Sequence, residues 1–179
     1  ITMMLADAVG KIKSGKYKNF NMTQDERYEL YIAAWLHDCG KVATPTHIVD
    51  KGTKLENIFD RIEIINNKFE VLRRDKEIEF LKKTYKLNNS NKTALTKIKD
   101  QYKIQMKQLD VDETFLERCN IGGEFMPEEL QERVIQISKY PFKNKGKKIP
   151  FLSKDEVRNL NIPKGTLLPE EREIINSHI

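Results

Sequence analysis

Leu55, Ile58, Ile62, Ile65, Phe69 and Leu72 follow one another at intervals of 3, 4, 3, 4 and 3 residues. A strand cannot use that spacing, because its side chains return to one face every second residue, whereas a helix returns them about every 3.6. The spacing predicts a helix whose apolar seam packs along a partner, continuing to about Tyr85. Leu87 to Asn91, rich in Asn and Ser, reads as a turn. Leu95, Ile98, Tyr102, Met106 and Leu109 then line one face of a further helix. Two helices with facing apolar stripes and a short connection predict an antiparallel hairpin. An arm of about thirty residues at 1.5 Å rise would reach roughly 45 Å. Such an arm is expected to project from the body, and its seam and charged outer faces suit a homodimer contact.

The rest of the chain reads as helical too. One helix is expected from the start to about Lys13. Thr23 and Glu26 have the spacing of a capping box and open a second, which runs to His37. Its residues from Tyr31 to Leu36 are all apolar, which predicts a core helix. Asn120 to Met126 (NIGGEFM) is a glycine-containing turn, and Pro127 starts a helix carrying Leu130, Val134 and Ile137. Lys139 to Lys148 holds five lysines and no acid, the composition of a solvated loop, with an anionic partner as the alternative. A last helix begins at Pro169, with Glu170 and Glu171 favouring the positive end of its dipole. Strand signals are scarce, and the expected fold class is all-α.

The 179 residues suit one domain, or a small domain carrying one large insertion. No apolar run reaches the length of a membrane span, and no basic leader precedes the apolar Ile1 to Ala8. The chain opens inside an apolar helical pattern and stops directly after His178, so it reads as a piece of a longer protein. Cys39 and Cys119 lie far apart without a CxxC spacing, which suggests reduced thiols and a cytoplasmic setting.

Three histidines are present: His37, His47 and His178. His37 and Asp38 are adjacent at the end of the second helix, in the string Ala33-Ala34-Trp35-Leu36-His37-Asp38-Cys39-Gly40-Lys41. Such a pair offers an imidazole nitrogen and a carboxylate oxygen from one turn, and can bind a metal ion or bridge two. Ala33 and Ala34 would leave room for an ion, Gly40 would free the backbone, and Lys41 would place a positive charge near a bound phosphate. The competing reading is a hydrogen-bonded core histidine beside a helix-end carboxylate. His178 shares a helix face with Ile174 and Ile175 and points inward on this pattern. His47, after Pro45, is expected on a surface loop.

His37-Asp38-Cys39-Gly40-Lys41 followed by Val42-Ala43-Thr44-Pro45 resembles the HDxGKxxxP segment of the HD-GYP family. Lys164 to Ile179 is similar to that family's KPGxLTxEExxxIxxHP stretch, whose histidine is a metal ligand, with Ile179 in place of the proline. More than a hundred residues lie between the two blocks, and HDCGKVATP, VDKGTKLE and NIGGEFM resemble a subgroup with such an insertion. The family's upstream ligand histidine, the paired histidines after His178 and the GYP motif would lie outside these residues.

The resemblance implies an HD-domain helical bundle fragment carrying an inserted long antiparallel helical hairpin. Residues 1–53 would form the N-terminal part of the HD core, 54–160 the insertion, and 161–179 the return to the core. The implied activity is two-metal hydrolysis of a phosphodiester, cyclic di-GMP above all. His37, Asp38 and His178 would be metal ligands, Asp38 a bridge between ions, and Lys41 a phosphate neutraliser. Histidine and carboxylate without thiolate point to iron or manganese more than zinc. Neither a nucleic acid polymer nor a membrane contact is expected of this segment. Two other classes stay open: a catalytically incomplete module acting as a signalling or interaction scaffold, and an HD-type nucleotidase.

Overall fold

Thr23 starts its helix as expected: the hydroxyl accepts from the Glu26 N–H while the Glu26 carboxylate accepts from the Thr23 N–H, a complete capping box. A computed structural model describes residues 1–87 and 92–177 of the chain. Among them are eight α-helices and one two-stranded sheet, so the protein is mostly helical. The expected turn at Leu87–Asn91 falls largely, and the expected metal ligand His178 wholly, outside the described residues. The chain divides into two compact units, 1–45 with 172–179, and 46–171.

The first unit contains α1 (Thr2–Gly10), α2 (Gln24–Leu36) and a 3-10 turn, Cys39–Ala43. Arg27 of α2 grips Asp7 of α1 through both guanidinium nitrogens, one at 2.9 Å. The expectation that α2 is a core helix is not met. No described residue of this unit is buried, and Trp35 and Leu36 are 72% and 56% exposed. An apolar run that circles a helix needs neighbours on every side, and within this unit α2 has α1 beside it.

The second unit is built on α3 (Thr46–Val49), α4 (Ile62–Lys86), α5 (Lys92–Ile121), α6 (Glu128–Ser138), β1 (Phe142–Asn144), β2 (Lys147–Ile149) and α7 (Lys154–Leu160); α8 (Pro169–Asn176) begins at its end, and its residues from Arg172 onward belong to the first unit. Helices α4 and α5 pack antiparallel: Asn66 bonds Glu117, Arg73 bonds Asp110 and Glu113, and Phe80 stacks on Tyr102 with ring centres 4.6 Å apart. Ile65, Phe69 and Leu72 of the seam are buried against Leu109 and Leu116, and Leu95, Ile98, Tyr102 and Met106 are the partly covered stripe of α5.

The seam does not begin in a helix. Leu55 is buried from a loop, Ile58 is 93% exposed, and α4 starts only at Ile62. Side chains take over the backbone groups before that point. Glu56 accepts from the N–H groups of Gly52 and Thr53, and Asp60 accepts from the Ile62 N–H, the Thr53 hydroxyl and the Asn120 amide. Such local bonds compete with helix formation.

Three loops close one end of this unit. Lys54 N–H donates to the Asn120 carbonyl at 2.8 Å, Met126 N–H to Pro163 at 2.9 Å, and Gly165 N–H to Gly122 at 3.2 Å. The strings around Lys51–Leu55, Asn120–Met126 and Ile162–Thr166 are thus complementary to one another. Lys51, 8% exposed, adds a bridge to Glu171 at 2.8 Å and a bond to Asn159.

Two local expectations change. The lysine-rich loop is a β-hairpin, with Phe142 opposite Ile149 and Lys143 opposite Lys148. Lys145 and Gly146 both take positive φ, 47° and 78°, the two-residue turn whose twist suits a hairpin. Buried Phe142 anchors it against Phe151. His47 is exposed as expected but sits in the short α3, not a loop.

Candidate functional site

The string His37-Asp38-Cys39-Gly40-Lys41 folds as a helix end running into a 3-10 turn. His37 is the C-cap of α2 and Asp38 precedes the 3-10 turn. The last carbonyls of a helix lack intrahelical donors, and the His37 ring turns back onto one of them: Nδ1 lies 2.8 Å from the Ala34 carbonyl oxygen. A carbonyl can only accept, so Nδ1 carries the hydrogen and, in neutral imidazole, Nε2 presents its lone pair outward. Nε2 stands 3.4 Å from Asp38 Oδ2.

The 3-10 turn stacks residue i+3 over residue i, which brings Lys41 Nζ to 2.7 Å from Asp38 Oδ1. The carboxylate of Asp38 therefore faces an imidazole with one oxygen and an ammonium with the other. His37, Asp38 and Lys41 side chains are 69%, 45% and 45% exposed, so the ion pair at this surface contributes at most about 1 kcal/mol to stability.

This pair has the geometry of two donors to one cation. Ligand bonds of about 2.1 Å to atoms 3.4 Å apart subtend roughly 110° at the ion. The second-layer contact that metal-bound histidines commonly make, a ring N–H donated to a carbonyl, is already supplied by Ala34. The donor set is incomplete, however. Among the described residues no group of three or more His, Cys, Asp or Glu side chains could hold a metal ion, and His178 lies outside them.

No protein-family model, curated protein or solved structure matches this chain.

Ala34 was the participant that the sequence reading did not single out as a hydrogen-bond partner. Its carbonyl contributes, not its small side chain, and the signal was the position of His37 one residue past the last helical turn, where histidines often bond the final carbonyls. Lys41 was placed toward a phosphate. Its ammonium lies on Asp38, so it would reach a phosphate only beside that carboxylate. Cys39, inside the string, is an exposed free thiol.

Proposed function

We propose that this chain is part of an HD-GYP-type metal-dependent phosphodiesterase acting on cyclic di-GMP, its long helices forming a hairpin inserted in an HD-type bundle. The observation that carries the reading is the His37–Asp38 pair: Nδ1 held by Ala34, with Nε2 and Oδ2 at the spacing of two ligands on one ion. The strings before and after the insertion supply the choice of substrate.

In this reading His37 would hold one ion through Nε2, Asp38 would be shared between two ions, and His178 would supply a further ligand. Iron or manganese suits these donors better than zinc. When bound, the ions would activate water for attack at phosphorus and offset charge on the phosphoryl oxygens. The chain's own residues hold and orient. Ala34 fixes the tautomer of His37, and Lys41 neutralises the phosphate beside Asp38. A cytoplasmic location and a homodimer through the hairpin complete the proposal. No helix among the described residues is long and apolar enough to cross a membrane.

Elemental analysis of the full-length protein together with a cyclic di-GMP hydrolysis assay tests this. Stoichiometric iron or manganese with hydrolysis is the expected result; a protein with neither metal nor hydrolysis would overturn it.

A second reading, an interaction module with an incomplete metal site, is favoured by one observation. The apolar surface of α2 stands open, with Tyr31 and Trp35 in an edge-on pair 6.3 Å apart and both exposed. Loss of the paired histidines and the GYP motif downstream would support that reading.

A further inference from the structure

The stretch Val134 to Lys154 contains six lysines and no acid. The fold gathers these lysines about the β1–β2 hairpin. Among the described residues no carboxylate pairs with Lys139, Lys143, Lys145, Lys147, Lys148 or Lys154. The nearest acids in sequence are engaged elsewhere: Asp155 with Arg61 at 2.6 Å, and Glu156 with Lys68 at 3.1 Å. Within the hairpin, Lys143 stands directly opposite Lys148. Like charges in that position oppose strand pairing, so the hairpin carries a repulsion that an anion would relieve.

Beside this hairpin lies a cavity of about 680 Å³, within the range of small-ligand sites. Lys139, Lys148 and Lys154 line it, along with Pro141, Phe142 and Leu152, and no acidic side chain does. Several cations over an apolar wall match a ligand with several negative charges and a flat apolar body.

We propose that this cavity binds a small organic polyphosphate of the nucleoside di- or triphosphate class. The phosphoryl chain lies against Lys139, Lys148 and Lys154, and the base lies against the Pro141–Phe142 wall. The site is separate from the His37–Asp38 pair and does not rest on the metal reading. Lysine ammoniums act as point charges toward phosphate without bidentate geometry, so affinity depends on how many of them converge.

Calorimetric titration of the chain with ATP, with inorganic tripolyphosphate and with a single-stranded oligonucleotide tests the proposal. Two triple variants remove equal charge: K139Q/K148Q/K154Q at the cavity, and K143Q/K145Q/K147Q on the hairpin away from it. Saturable one-site ATP binding is expected. The cavity triple should weaken it by roughly tenfold or more and the other triple by less than about threefold. Tripolyphosphate should bind more weakly than ATP because it lacks the apolar body. Circular dichroism checks the fold, and the single variant K148Q replaces the cavity triple if that protein unfolds. Equal loss in both triples, tripolyphosphate binding as tightly as ATP, or the absence of saturable ATP binding would each overturn the proposal. Oligonucleotide binding tighter than ATP and equally weakened by both triples would overturn it in favour of a nucleic-acid surface.

Discussion

The ammonium of Lys54 donates to the carbonyl oxygen of Ile162 over 2.7 Å, and to that of Leu160 over 2.9 Å, at the C-terminal end of α7. The residue is 1% exposed, and the acceptors around it are carbonyls and the Met126 sulfur. A cation at a helix C-terminus is favoured by the dipole, which is how a lysine is accommodated here with no ion-pair partner among the described residues. Lys54→Met keeps the stem but leaves two buried carbonyls without a donor. Each orphaned group costs on the order of 1–3 kcal/mol, so a loss of about 2–6 kcal/mol is expected. Urea denaturation measures it, and an unchanged midpoint would show that Lys54 is not a structural tie.

Burial pushes the Lys54 pKa below its ordinary 10.5 and the Cys119 thiol above its ordinary 9.0. The two act in opposite directions. An unfolded lysine binds more protons than the buried one, so its contribution to stability rises as pH climbs from the lowered pKa toward 10.5. The thiol contributes below 9.0, and that contribution is lost as pH rises through its raised folded pKa. Comparing Cys119→Ala with Cys119→Ala/Lys54→Met isolates the lysine. The stability difference between these proteins should grow from neutral pH toward 10.5. A difference that is flat across that range would contradict a depressed Lys54.

Local periodicity and capping were legible in the sequence; long-range enclosure was not. Thr23 with Glu26, the Ile65–Phe69–Leu72 seam and the covered stripe of α5 are set within one or two turns of chain, and they stand as read. Ile58 fits the same seam but lies outside the helix, because Glu56 and Asp60 bind the neighbouring backbone, a competition that apolar spacing does not register. The apolar run Tyr31–Leu36 implied burial, but burial depends on neighbours that a local pattern cannot supply. The hairpin at Lys145–Gly146 was hidden by a lysine in a left-handed turn position, where Asn or Asp is the usual signal. At the candidate site, adjacency in sequence was enough to place His37 beside Asp38. The helix-end carbonyl that sets the His37 tautomer needed coordinates.

Gly122 and Gly123 are neighbours with different demands. Gly122 has φ +70° and a Cβ there would lie 2.7 Å from the Gly165 carbonyl oxygen, whereas a Cβ on Gly123 meets nothing within 4 Å. The obstacle is backbone from another loop and cannot rotate away, and the left-handed φ adds strain for an alanine. Gly122→Ala should lower stability by about 2–4 kcal/mol, the scale of overpacking plus backbone strain. Gly123→Ala should stay within about 0.5 kcal/mol of wild type. Thermal denaturation of the two variants side by side decides it; equal losses would mean that Gly122 and Gly165 do not meet as described.

Asp38 decides the metal reading. As a bridging carboxylate it would hold two cations at close range and offset their repulsion, so Asp38→Ala should empty the whole site, leaving under about a tenth of wild-type metal in the full-length protein. Asp38→Asn keeps the shape without the charge and should be nearly as damaging. His178→Ala removes one ligand of one ion, so roughly half the metal or more should remain. Lys41 separates the two roles open to its ammonium. It lies 2.7 Å from Asp38 Oδ1 and so competes with a cation for that oxygen. Lys41→Gln should therefore not lower metal content, while turnover falls by about 10–100-fold, the loss expected of a group that stabilises phosphoryl charge. Elemental analysis read beside the hydrolysis rate gives all four values. An Asp38→Ala protein with full metal and wild-type turnover would leave the His37–Asp38 pair as a helix-end contact with no part in catalysis. Metal lost from Lys41→Gln would instead assign Lys41 to holding Asp38 in place.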